Sequence, residues 1–181
     1  MAGLRTATPP FAQDSRLLED AYRFASDAHS SEGAGKTEID HPLLVAELLA
    51  ERGFDDRLIA AALLHDVVED TPVRLDEIDA RFGDEVARLV DTLTEDPSIL
   101  SYPARKAEHR ARIAAGGERA ATVYAADKVA KLRAARNGAR DLRPAQLRHF
   151  AATLDELRAA HPGMPFLAEL ERELERLTSS R

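Results

Sequence analysis

The chain has no cysteine among its 181 residues, which excludes disulfides, thiolate nucleophiles and thiolate-bound zinc. Any metal chemistry must therefore use histidine, aspartate and glutamate. Long apolar runs are missing too: no window approaches the roughly 18 to 20 residues of a membrane span. Met1–Gln13, with Pro9, Pro10 and a single arginine, has no apolar stretch of signal-peptide length. These absences predict a disordered leader over residues 1–14, no membrane association and a cytoplasmic protein. Positive charge is short as well. A formal net charge of -7 argues against general nucleic-acid binding, although a local basic patch can still hold phosphate. With 44% hydrophobic and 31% charged residues, the chain reads as a soluble globular protein, and its length suits one domain over residues 15–181.

No segment alternates apolar and polar residues convincingly, while helical spacing recurs throughout, so an all-α bundle of about eight to ten helices is expected. Ser15–His29 carries Leu17, Leu18, Ala21, Tyr22, Phe24, Ala25 and Ala28 at helical intervals, with Asp14 or Ser15 as N-cap. Pro42 favours a helix start, and that helix continues to Gly53. A third helix is predicted from about Asp56 to Asp70, stopped by Thr71-Pro72. Short helices follow at Asp76–Phe82 and Asp84–Leu93, and then a mostly charged segment, Ala104–Ala115. Glu118–Ala135 reads as a long core helix. Pro144–Ala160 and Phe166–Leu177 complete the series, the last as a packing helix.

The third predicted helix is the most informative segment. Leu63-Leu64-His65-Asp66-Val67-Val68-Glu69-Asp70 sets four ionisable side chains in an apolar run. On a continuous helix, Glu69 lies four residues after His65 and Asp70 four after Asp66, so the four share one broad face. Charges inside a buried helix are costly unless paired, and a divalent metal would supply the missing positive charge. A His-Asp pair alone is a weak signal. The ordered set is stronger: His41 at a helix start, His65 and Asp66 in the apolar run, and Asp127 in a third apolar helix. Two imidazoles and two carboxylates suit manganese, iron or zinc better than calcium. Such an ion activates water near neutral pH and polarises a phosphoryl oxygen.

These motifs carry a resemblance. His41-Pro42, the run Ala61 to Thr71, Leu75-Asp76-Glu77-Ile78 with Phe82-Gly83, and Ala126-Asp127-Lys128 resemble the HD-domain phosphohydrolases. Specifically, they resemble the small alarmone hydrolases related to the hydrolase domain of RelA/SpoT proteins, over roughly Leu17–Leu157. The resemblance implies an HD-domain fold and an Mn2+ ion held by His41, His65, Asp66 and Asp127. It implies catalysis by Glu69 and Asp70, and removal of pyrophosphate from the ribose 3′ position of ppGpp or pppGpp. Glu69 would orient and deprotonate the attacking water, and Asp70 would hold it or assist proton transfer to the leaving ribose oxygen; their roles can be exchanged. The resemblance also implies a basic loop before His41, and here Ser31–Lys36 offers only Lys36. Lys131 stands where an asparagine is usual, and His149 where an aromatic lies beside the ribose. Adenine analogues and larger 3′-pyrophosphorylated nucleotides therefore stay open as substrates.

Lys131, Arg133, Arg136, Arg140 and Arg143 form a local basic run with Asp141 alone opposing it. Lys131 and Arg136 are the expected phosphate contacts, against the equal alternative of a solvated face pairing with acidic neighbours. Lys128 is an even case between substrate contact and outward-pointing side chain. His29 fits a helix-end histidine or a phosphate contact, and His109 and His161 read as surface residues. Glu169, Glu171, Glu173 and Glu175, spaced by two, spread around a helix and form no site. Two alternatives remain: another HD-domain nucleotide phosphohydrolase, or an antitoxin-type protein that neutralises a partner alarmone synthetase.

Overall fold

The computed structural model describes residues 8–30, 39–139 and 141–179. Among them are ten α-helices, one 3-10 turn and no strand, which is the all-α fold expected. The chain divides into two compact units, Met1–Ala87 and Arg88–Arg181, where the composition led us to expect one domain.

The first unit holds α1 (Arg16–Ser30), α2 (Asp40–Ala50), α3 (Asp56–Leu64), α4 (Val67–Asp70) and α5 (Leu75–Phe82). Helix α1 begins where the Ser15 hydroxyl accepts a hydrogen bond from Leu18 N (3.3 Å), and the same hydroxyl donates to Asp56 at 2.6 Å, tying α1 to the start of α3. Its buried face is Leu18, Ala21, Tyr22, Ala25 and His29, one stripe at helical spacing. Before it, Pro10–Ala12 form a 3-10 turn with Ala12 fully buried. The disordered leader expected through Asp14 is thus corrected for residues 9–14, because Ala12 finds a place against α1. Helix α2 ends at the Glu51–Gly53 turn, where Gly53 takes a left-handed φ of 71°. Asp55 caps α3 by accepting from Arg57 N and Leu58 N, both at 3.1 Å. Leu58 through Leu64 are all buried, so α3 is apolar on every side.

Helix α6 (Asp84–Leu93) leads into the second unit, which contains α7 (Tyr102–Ala115), α8 (Glu118–Arg136), α9 (Pro144–Ala160) and α10 (Leu167–Ser179). The alanine-rich stretch Ala120–Ala130 of α8 is buried throughout. Small side chains let α9 and α10 approach that helix closely. Glu169 and Glu173, one turn apart on α10, are buried and face Arg133 of α8, with Arg136 Nε 3.5 Å from Glu173. The glutamate series therefore splits by face, and its inward pair pins α10 to α8.

Candidate functional site

The predicted helix Asp56–Asp70 is not continuous. It stops at Leu64, turns through His65 and Asp66, and resumes as the single turn α4. The cause is local. His65 Nδ1 lies 2.7 Å from the Ala62 carbonyl oxygen, and since a carbonyl only accepts, Nδ1 is the donor. That bond occupies the carbonyl that helical continuation would offer to Asp66 N. It also places a proton on Nδ1, so that a neutral ring keeps its lone pair on Nε2. Nε2 is buried and lies 3.0 Å from Asp66 Oδ1, which is also a lone-pair atom. With the ring neutral these are two acceptors, which repel unless positive charge, a metal ion or a proton on Nε2, lies between them. The donor set therefore fits a metal ion, with the backbone carbonyl acting as the outer partner that orients a ligating histidine.

His41, the second residue of α2, is half-buried with its ring edge-on to His65, the centroids 5.7 Å apart. Each imidazole offers a ligating nitrogen within 4.8 Å of the other's. Glu69 and Asp70 are solvent-exposed at the end of α4, one turn beyond Asp66. This corrects the picture of four charges inside a buried helix: His65 alone is buried, Asp66 is partly exposed, and the two glutamate-aspartate carboxylates face solvent. The turn at residues 65–66 separates the two pairs.

In the second unit Asp127 is buried on α8, accepting from the Lys128 ammonium and, at 2.8 Å, from Lys131 one turn later. Lys128 does not point outward. It is buried over the Tyr124 ring, 3.8 Å from its centroid, and burial lowers its ammonium to about 8, with Asp127 opposing that shift. Tyr124 is raised well above its ordinary value, first by desolvation. His149 is buried with Nδ1 3.0 Å from an Arg110 guanidinium nitrogen and Nε2 3.3 Å from the Tyr124 hydroxyl. Desolvation first, then Lys128, Lys106 and Arg110, push its pKa down to about 2, so the ring is neutral. Nδ1 then accepts from Arg110, and Nε2–H donates to Tyr124. Both ring nitrogens are thus engaged within the protein, and the ring itself lines a cleft. His109, expected at the surface, is instead buried with its ring 5.0 Å from that of Tyr124, because α7 turns this position inward; burial lowers it to about 4.

Of the basic run, Lys131 reaches Asp127 while Arg133 and Arg136 turn to Glu169 and Glu173, the acidic-neighbour alternative. Lys36 lies outside the described residues, as does Arg140. The residues not anticipated are on α7. Tyr102, Lys106 and Arg110 line a cleft of about 210 Å³ with Arg148 and His149 of α9. Their spacing of four along a segment dismissed as merely charged was the available signal.

The HD domain family's profile matches residues 21–160. The chain belongs to the HD domain family. It is 42% identical over 101 residues to a guanosine-3′,5′-bis(diphosphate) 3′-pyrophosphohydrolase of Aquifex aeolicus, a match covering 55% of this chain and 14% of that protein. It is 40% identical over 94 residues to a probable GTP pyrophosphokinase of Mycobacterium leprae, covering 51% and 12%. The chain thus spans about one seventh or less of these curated relatives. A solved structure described as a metazoan ortholog of SpoT that hydrolyzes ppGpp superposes with a TM-score of 0.74 at 26% identity, covering 95% of this chain and 98% of that one.

Proposed function

We propose that this HD-domain protein is a metal-dependent hydrolase that removes pyrophosphate from the ribose 3′ position of (p)ppGpp or a closely related nucleotide. The observation that carries the metal part is the His65 tautomer, with Nδ1 committed to Ala62 and Nε2 opposed to Asp66 Oδ1 at 3.0 Å. The nucleotide part is supported by the named relatives and by the SpoT-like structure. In this reading His41, His65 and Asp127, with Asp66 beside His65 Nε2, hold one divalent ion, Mn2+ being our choice for mixed imidazole and carboxylate ligands. When bound, the ion supplies a Lewis acid for the phosphoryl oxygens and lowers the pKa of water.

The chain's own carboxylates do the proton work. Glu69, exposed one turn beyond the ligand pair, accepts a proton from the attacking water as its oxygen bonds to the phosphorus attached to O3′. The bond from that phosphorus to O3′ breaks, Asp70 assists delivery of a proton to O3′, and pyrophosphate leaves. Lys131 steadies Asp127 or a phosphate oxygen, and Lys128 holds the Asp127 carboxylate from behind.

The test is to incubate the protein with Mn2+ and, separately, Mg2+, against ppGpp, its adenine analogue and nucleoside monophosphates, following pyrophosphate and phosphate. Pyrophosphate released from ppGpp with stoichiometric GDP is the expected result. Phosphate released from monoesters, with ppGpp untouched, would make it a different HD phosphohydrolase.

A further inference from the structure

The cleft between α7 and α9 belongs wholly to the second unit. Tyr102, Lys106 and Arg110 stand four residues apart on one face of α7, and Ala145, Arg148, His149 and Ala152 stand opposite on α9. No carboxylate is among its lining residues, although Lys106 and Arg110 are paired with Glu95 and Glu156. Arg110 is already in place. Its Nε donates to Glu156 at 2.9 Å and one terminal nitrogen donates to the neutral His149 ring at 3.0 Å. Its other terminal nitrogen makes no hydrogen bond to a described residue. A guanidinium fixed on two sides gives up little side-chain entropy when it binds an anion with the third. Arg148 is exposed and makes no ion pair with any described residue. Ala145 and Ala152 leave the floor of the cleft open.

The size of the cleft bounds its ligand. At about 210 Å³ it is smaller than the roughly 300–1,000 Å³ clefts that enclose whole small molecules, and its two arginines favour a phosphate, Lys106 being paired with Glu95. Its place in the unit sets it apart from Asp127. From the cleft the contacts run His149 to Tyr124, Tyr124 to Lys128, and Lys128 to Asp127, so Tyr124 and Lys128 link the cleft's inner residue to that carboxylate.

We propose that this cleft seats the phosphates the reaction leaves intact, those on the 5′ end of the nucleotide, with Arg110 as preformed anchor and Arg148 flanking it. The assignment rests on the proposed 3′-pyrophosphohydrolase reading, in which the substrate carries phosphates at both ends. It makes the α7 stripe a specificity element favouring nucleotides with 5′ phosphates over those without.

Binding and turnover test it separately. With the full chain in EDTA, calorimetric affinities are measured for GDP, ADP, guanosine and inorganic pyrophosphate, on wild type, Arg148→Gln and Arg110→Gln. The expected result is nucleoside diphosphate binding at least tenfold tighter than guanosine, weakened about tenfold by either substitution. Equal affinity in wild type and both variants, or tighter binding of free pyrophosphate than of either diphosphate, overturns the proposal. In turnover with metal, the loss in kcat/KM caused by Arg148→Gln should be at least fivefold larger on ppGpp than on guanosine 3′-pyrophosphate; equal losses overturn it. If wild type releases no pyrophosphate from any nucleotide, the functional reading fails while the binding measurements still decide the cleft. Should Arg110→Gln melt below the working temperature, the exposed Arg148 carries the test.

Discussion

At His65 one hydrogen bond bears on two things. Donation from Nδ1 to Ala62 accompanies the break in the helix and leaves Nε2 facing Asp66, where the proposed metal ion would bind. His65→Gln and Asp66→Asn are therefore each expected to lower divalent-metal affinity by 100-fold or more, read by calorimetry on chelator-stripped protein, with helical content unchanged by circular dichroism. Glu69→Gln separates binding from chemistry. It should keep the metal affinity while kcat falls by about 10²–10⁴, the usual worth of a general base; a variant that loses metal along with activity would move Glu69 into the ligand set. The candidate cluster of His41, His65 and Asp127 was legible in the sequence because residues able to ligate a metal are few types in an ordered series. Arg110 was not, because its role depends on Glu156 and His149 reaching it from another helix, and sequence shows only a charge among charges.

Element boundaries were legible wherever a cap or breaker sets them. Ser15, Asp55 and Pro144 start helices as their chemistry requires, and Gly53 and Gly83 close them with left-handed φ values of 71° and 86°. The interruption after Leu64 escaped the sequence because the apolar run continues through it: Val67 is as buried as Leu64, and only the His65 ring distinguishes a turn from a helix. Helix α3 itself is apolar all round, so its hold on the His65 turn is a matter of packing. Leu63→Ala, at a fully buried position, should cost about 2–5 kcal/mol in denaturant unfolding. Asp55→Ala, removing the cap and its two bonds, should cost about 1 kcal/mol. A small Leu63 effect would mean that the helix repacks around the void.

At the scale of the molecule, the all-α class followed from periodicity, whereas the division at Ala87 did not, since it falls inside α6 with no linker composition to mark it. Burial of histidine also escaped the sequence, and it has a consequence for stability. His109 and His149 sit in the second unit at about 4 and about 2, held down first by desolvation and then by Lys128, with Lys106 and, at His149, Arg110 adding to it; Glu95 opposes at His109 and Asp127 at His149. In the unfolded chain both protonate near the ordinary 6.5. Below that pH the unfolded state binds protons that the folded state refuses, so stability is complete above 6.5 and falls as pH drops toward 4. Each ring contributes a slope approaching about 1.4 kcal/mol per pH unit. Denaturant unfolding at pH 7, 6 and 5 should show the decline, and His109→Gln or His149→Gln should make the slope shallower by about that amount, whatever either does to stability at pH 7. Carboxylates held low by cations, such as Glu95 beside Lys106 and Arg105, titrate in the unfolded chain nearer 4.5 and add their losses below this window. A slope between pH 6 and 5 that neither substitution changes would mean that both rings take up protons in the folded protein, and that the Arg110–His149–Tyr124 chain opens to admit them.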